Sequence, residues 1–242
     1  MSHRVLRSPR RLPSPTVPFA RAALAAVLAL AGARAGAQVT TVDEGSFTIS
    51  RGAATVGREE FRILRQPAGG GTEYVARALA AYGDRRIAPA LQTDPTGLPL
   101  RYQVEVRVGR TVEQRLTGQA SRGHFSTQAQ TGGSEAAREY LVGDRTVVVD
   151  DELFHQYYFV GLHRNEGSVP MLVPRRNVHG PATIRDAGAD RMTLGARTID
   201  ARRLEVSEPG GRVRTVWIDA DGRVLRVAGA DGLVAQRDDP PR

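Results

Sequence analysis

Few side chains in this sequence could act as acid, base or nucleophile, and their spacing excludes most enzyme chemistry. Neither lysine nor cysteine occurs among the 242 residues. Without the amine there is no Walker phosphate loop, no Schiff base and no kinase-type lysine. Without the thiol there is no cysteine nucleophile, no Cys-based metal site, no disulfide framework and no thiol-built lipid anchor. Four histidines lie beyond residue 37: His124, His155, His163 and His179. None forms an HxxxH or HExxH pair, so no local metal site is written and no cofactor is expected. Gly132-Gly133-Ser134-Glu135 lacks the second glycine of a nucleophile elbow. Asp150 and Asp151 are adjacent, and adjacent carboxylates cannot face each other across a glycosidic bond. What remains for catalysis is an acid–base cluster of Asp150, His155 and Tyr158, the core of a hydrolase reading built on dispersed residues.

Two constellations point to binding instead. Arg175-Arg176, Arg202-Arg203 and Arg212/Arg214 could form an anion stripe, although Glu205 and Glu208 interleave as on a solvated strand face. The sharper candidate is aromatic. Phe154, Tyr157, Tyr158 and Phe159 place four of the chain's 13 aromatic residues within six positions. With Trp217 they could line a cavity, since tyrosine and tryptophan pair an apolar body with a hydrogen-bonding tip. Phe154, Tyr157, Tyr158 and Trp217 are the expected ligand-binding residues; the alternative is ordinary core.

The elements that must position these residues are mostly strands. Phe47 and Ile49 alternate with Ser46, Thr48 and Ser50, and Phe61 and Ile63 with Glu60 and Arg62. Tyr102, Val104, Val106 and Val108 alternate with Arg101, Gln103, Glu105 and Arg107. Such strands bury one face and wet the other, the antiparallel habit. Pro67 to Gly71 reads as a loop, Asp94-Pro95-Thr96-Gly97 as a turn and Asp221-Gly222 as a hairpin. The Asp-Ala-Asp-Gly at the hairpin is too short for a calcium loop. One stretch, Asp150 to His163, breaks the rhythm. At helical spacing its apolar residues share a face, while Glu152, Gln156 and His163 fall opposite. Asp150 or Asp151 would cap such a helix. A buried strand is the competing reading there. The fold class expected is mainly β: a strongly curved antiparallel sheet, a half-barrel, wrapped around one short helix.

Residues 1–37 read as an export leader. Arginines precede an apolar run from Ala22 to Ala33, and Ala35-Gly36-Ala37 offers a cleavage site. The run is about a dozen residues, short of the roughly 20 that cross a membrane as a helix. The twin arginines Arg10-Arg11 are flanked by prolines, which favours general secretion. The leader holds six of the 34 basic residues and no acid, leaving 28 against 26 and a net of +2. That balance gives no electrostatic footprint for nucleic acid. Residues 38–236 are expected as one half-barrel domain, with 237–242 as a disordered tail. An outer-membrane barrel is disfavoured, because only 5% of residues are aromatic and outward positions are arginine and glutamate.

Two stretches carry a resemblance to known proteins: FTISRGAATVGREEFRI (Phe47 to Ile63) and VWIDADGRVLRV (Val216 to Val227). The chain resembles exported β-rich families of unknown function that share a half-barrel with the lipoprotein-carrier (Lol-type) proteins. The resemblance implies a curved sheet around a helix, with an apolar hollow that accepts acyl chains in the carriers. The expected function is therefore a periplasmic or extracellular, non-enzymatic protein that binds or carries an apolar or lipid-like molecule. A structural or assembly partner of another envelope protein is the alternative.

Overall fold

The computed structural model describes residues 38–69 and 71–242. The leader expected over residues 1–37 lies outside the described residues. Fifteen strands form one sheet: β1 (Thr40–Arg51), β2 (Ala54–Ala68), β3 (Gly71–Tyr82), β4 (Arg85–Thr93), β5 (Pro99–Val108), β6 (Thr111–Ser121), β7 (His124–Thr131), β8 (Ser134–Leu141), β9 (Val147–Val148), β10 (Ser168–Val173), β11 (Val178–Leu194), β12 (Arg197–Ser207), β13 (Val213–Ile218), β14 (Val224–Gly229) and β15 (Leu233–Arg237). A single α-helix, α1 (Tyr157–Leu162), and a 3₁₀ turn at Pro174–Arg176 complete the described elements.

The strand order is β8-β7-β6-β5-β4-β3-β2-β1-β15-β14-β13-β12-β11-β10-β9. The described chain thus starts at the middle, meanders out to β8, crosses to the far edge at β9 and meanders back to pair β15 with β1. Every neighbouring pair is antiparallel except β9 with β10. Laid flat at about 4.8 Å per strand the sheet would be about 70 Å wide. Side chains from its two wings nevertheless meet in one core. Phe47 of β1, Tyr102 of β5, Tyr140 of β8, Ile184 of β11 and Val227 of β14 are buried in the same cluster. The sheet therefore curls on itself without closing. At the seam the Tyr140 hydroxyl donates to Asn177 Oδ1 at 2.8 Å, and its ring meets His179 edge-on.

The mainly β half-barrel around one short helix is what the alternation predicts. Three local expectations are corrected. The chain stays extended through Pro67, which pairs with Thr72. The helix spans only Tyr157–Leu162, not Asp150 to His163, and its first-turn neighbour Gln156 makes no side-chain cap. The tail boundary also moves: Arg237 ends β15, is 2% exposed, and forks onto Asp43 at 2.8 and 3.0 Å.

Candidate functional site

The segment Val149–His163 plugs the inner face of the curled sheet, and its first half is irregular because Glu59 of β2 and the segment's own Asp150 and Gln156 hold its backbone. Glu59 shares strand parity with Phe61 and Ile63, so β2 carries it inward, where it is fully buried. Its carboxylate accepts the Phe154 N–H at 2.7 Å and binds His155 Nδ1. The His155 ring in turn stacks on Phe61 at 5.9 Å. Asp150 accepts the Tyr102 hydroxyl at 2.8 Å and Arg175 Nε at 2.9 Å. Gln156 Oε1 accepts the Asp150 N–H at 2.6 Å. These bonds satisfy groups a helix would otherwise have satisfied. Asp150 is therefore an ion-pair partner in the core and not a helix cap.

Burial raises the Asp150 carboxyl above its usual range, with Arg175 and Tyr102 pulling the other way. The Tyr102 hydroxyl is pushed up by burial and by the Asp150 charge beside it. Burial alone would lower the Arg175 guanidinium, but Asp150, Tyr102 and Glu152 together outweigh it. An ion pair of this kind is costly to break from one side, because the surviving charge is left desolvated. Among the described residues four buried side-chain nitrogens have no partner, and two of them, His155 Nε2 and Gln156 Nε2, lie in this segment.

The second half of the plug is α1, and both wings grip it. Tyr74 of β3 meets Tyr158 and Phe159 edge-on at 6.0 and 6.2 Å. On the same wing, the turn between β4 and β5 takes His163 Nε2–H on the Thr96 carbonyl at 2.8 Å. Gly97, at a φ of 92°, brings that turn against Phe159. On the other wing, Gly161 lies so close to the Gly222 carbonyl that a Cβ would stand 3.1 Å from it. The Tyr157 hydroxyl donates to Glu208, which follows β12. Burial raises both of those groups above their ordinary values.

Of the four expected ligand-binding residues, the structure gathers three. Phe154, Tyr157 and Tyr158 are 3–4% exposed and belong to the main core. Trp217 does not join them. Its neighbours in β13, Val216 and Ile218, point into the core, so Trp217 faces the opposite side of the sheet. There it packs on a second cluster of Met192, Leu194, Ala201 and Leu225, with its indole N–H on Asp190 at 2.8 Å. The expected polar side of the helix is also corrected, since Gln156 and His163 are buried by partners from the sheet. The cleft beside Phe154 and Tyr157 holds about 10 Å³, room for one water at most.

Of the expected acid–base cluster, Asp150 and His155 occupy one polar centre but bind separate partners, Arg175 and Glu59. Tyr158 packs with Tyr74 instead. Glu59 and Tyr102 were not singled out by motif, although the parity of β2 and β5 marks both as inward; Arg175, expected in an anion stripe, is instead buried against Asp150. Among the described residues no three His, Asp or Glu side chains gather as metal ligands.

No protein-family model and no curated protein matches this chain. A solved structure similar to it is a β-barrel-like protein of the domain of unknown function DUF1849 from Brucella abortus. The match has a TM-score of 0.48 at 7% identity, covering 84% of this chain and 98% of that one. Among the described residues no helix is long and apolar enough to cross a membrane.

Proposed function

We propose that this protein is an exported, non-enzymatic component of the cell envelope that binds another envelope protein along the free edge of β8. One observation carries this reading. Among the described residues the sheet ends at β8 with no neighbouring strand beyond it, and every β8 residue except Tyr140 is exposed. An unpaired edge offers a row of N–H and C=O groups to an incoming strand. Glu135, Arg138 and Glu139 on this edge restrict which strand can pair, since like charges placed opposite each other are unfavourable. Export rests on the arginine-flanked apolar run and the Ala-Gly-Ala of residues 1–37. A photo-crosslinking side chain at Ala137 of the chain expressed in cells is expected to trap one dominant envelope protein. Adducts no different from those formed at the exposed Arg191 would dismiss the idea.

A second reading is carriage of an apolar or lipid-like molecule, with Phe154, Tyr157 and Tyr158 as its contacts. Its support is the hairpin resemblance to the lipoprotein carriers together with an inner face that is apolar and not sealed by strand pairing. It ranks second because the hollow is occupied by the chain's own plug. An acyl chain would have to displace it and break the Glu59–His155 and Asp150–Arg175 pairs. Co-purification with an envelope lipid extract tests this: stoichiometric lipid on the protein would promote it over the edge-strand reading.

A further inference from the structure

Away from the plug, a groove of about 600 Å³ runs across the outer face of β2–β6. Strand register arranges its side chains in two parallel rows. One row runs Val75, Gln92, Arg101, Gln119 across β3 to β6, each directly opposite the next. The other runs Arg77, Ala90, Gln103, Thr117. Rows two residues apart on extended strands lie about 7 Å from each other. The short Ala90 side chain in the second row and the Gly118 backbone between the rows keep the groove open.

Arginines without an acid beside them occur elsewhere among the described residues, as at Arg51, Arg86 and Arg110, but this surface brings two of them into one groove. Most of the molecule's other arginines are matched to an acid: Arg62 to Glu44, Arg107 and Arg115 to Glu105, Arg185 to Glu205. Arg77 and Arg101 have no carboxylate within ion-pair distance among the described residues, and both are exposed. The one acid beneath the groove is Glu73, 6% exposed, which is already held by the Gln66 and Gln92 amides at 2.7 and 2.6 Å. That pairing uses the Gln92 Nε2–H and leaves its amide oxygen as an acceptor.

From this geometry we infer that the outer groove binds an extended, hydroxyl-rich polyanion of the acidic-polysaccharide class. The two free guanidiniums recognise its carboxylates, for which their planar donor forks are suited. Gln92, Gln103, Gln119 and Thr117 supply paired donors and acceptors for hydroxyl groups. The strand repeat of about 4.8 Å presents one such group per strand to a chain lying across the sheet. Nucleic acid fits poorly, because no aromatic side chain lines the groove as a stacking platform; the Tyr102 ring points into the core. The site goes beyond the β8-edge reading and does not depend on it.

The test is equilibrium binding of the full chain to a fluorescent oligogalacturonate of about six sugars, whose carboxylates mimic the expected ligand. Arg77→Gln and Arg101→Gln are each expected to weaken binding about tenfold, and Gln103→Ala by less. Methyl-esterifying the probe is expected to weaken it by at least as much, while Arg191→Gln, on an exposed distant strand, leaves it unchanged. Thermal unfolding of each variant, matching the parent, separates lost binding from lost fold. The inference is overturned if Arg77→Gln and Arg101→Gln bind as the parent does. It is equally overturned if polyphosphate or single-stranded DNA binds more tightly than the oligouronate, since charge alone would then explain the surface.

Discussion

At the scale of single residues, inward-facing charge is the feature that most shapes this molecule. Glu59 and His155 are each 0–1% exposed and depend on each other for solvation. Glu59→Gln keeps the shape but removes the charge that binds His155 Nδ1. We expect it to destabilise the protein by about 3 kcal/mol in denaturant titration, in the range for breaking one side of a buried pair. His155→Ala should cost a similar amount, and the double variant less than the sum of the two. Asp238 behaves differently. Burial alone would raise its carboxyl, but hydrogen bonds from Ser46 and Thr48 and the charge of Arg58 hold it below the usual range. A depressed folded pKa means stability that is complete above the ordinary carboxylate value and is lost as pH falls from about 4 through the folded value. Asp43, Asp150 and Glu208 are raised by burial and act in the opposite sense, so stability falls as pH rises through their folded values. Asp238→Asn is therefore expected to lower Tm at pH 7, with the gap to the parent closing as pH falls below the ordinary carboxylate value and through the folded one. A gap that stays constant with pH would show that its charge is not what stabilises.

At the scale of elements, α1 is held by packing and not by its own propensity. Six residues with no side-chain cap are far below the length at which a helix is stable alone. Phe159 is fully buried between the β4–β5 turn and Tyr74. Phe159→Ala is expected to cost about 3–5 kcal/mol, checked by denaturant titration. Gly118 makes the same point in β6. A Cβ there would stand 2.4 Å from the Phe125 ring, so Gly118→Val should disturb the β6–β7 pair, visible as faster amide exchange in β7. Strand alternation made the sheet legible, and the Asp94–Gly97 and Asp221-Gly222 turns that cradle α1 were readable from local chemistry. The extent of α1 was not. Its apolar spacing continues back to Leu153, but Glu59 of β2 captures the Phe154 N–H, and Tyr102 of β5 and Arg175 hold Asp150, so the partners that end the helix lie far away in sequence. Trp217 was misassigned for a related reason. A residue's parity within β13 is visible, but which face of a two-sided sheet meets the plug is decided by neighbours that sequence spacing does not reveal.

At the scale of the whole molecule, the order of strands joins the chain's two described ends at the centre of the sheet. β1 and β15 pair there, and the loop of residues 142–146 links the two outer edges. The central junction is sealed by Arg237, whose guanidinium forks onto Asp43, donates to the Glu44 carbonyl at 2.6 Å and lies over the Phe61 ring. Phe61 stacks on both Phe47 and His155, so the junction connects through it to the plug. Removing residues 237–242 would leave Asp43, 4% exposed, without its counterion. We expect that truncation, or Arg237→Met alone, to destabilise the protein by about 3–5 kcal/mol. Adding Asp43→Leu to Arg237→Met should recover most of the loss, because an apolar pair of similar volume carries no desolvated charge. Denaturant titration of the two single variants and the double variant measures this directly. If the double variant is no more stable than Arg237→Met, the junction depends on the shape and hydrogen bonds of the guanidinium. Its neutralisation of Asp43 would then be secondary.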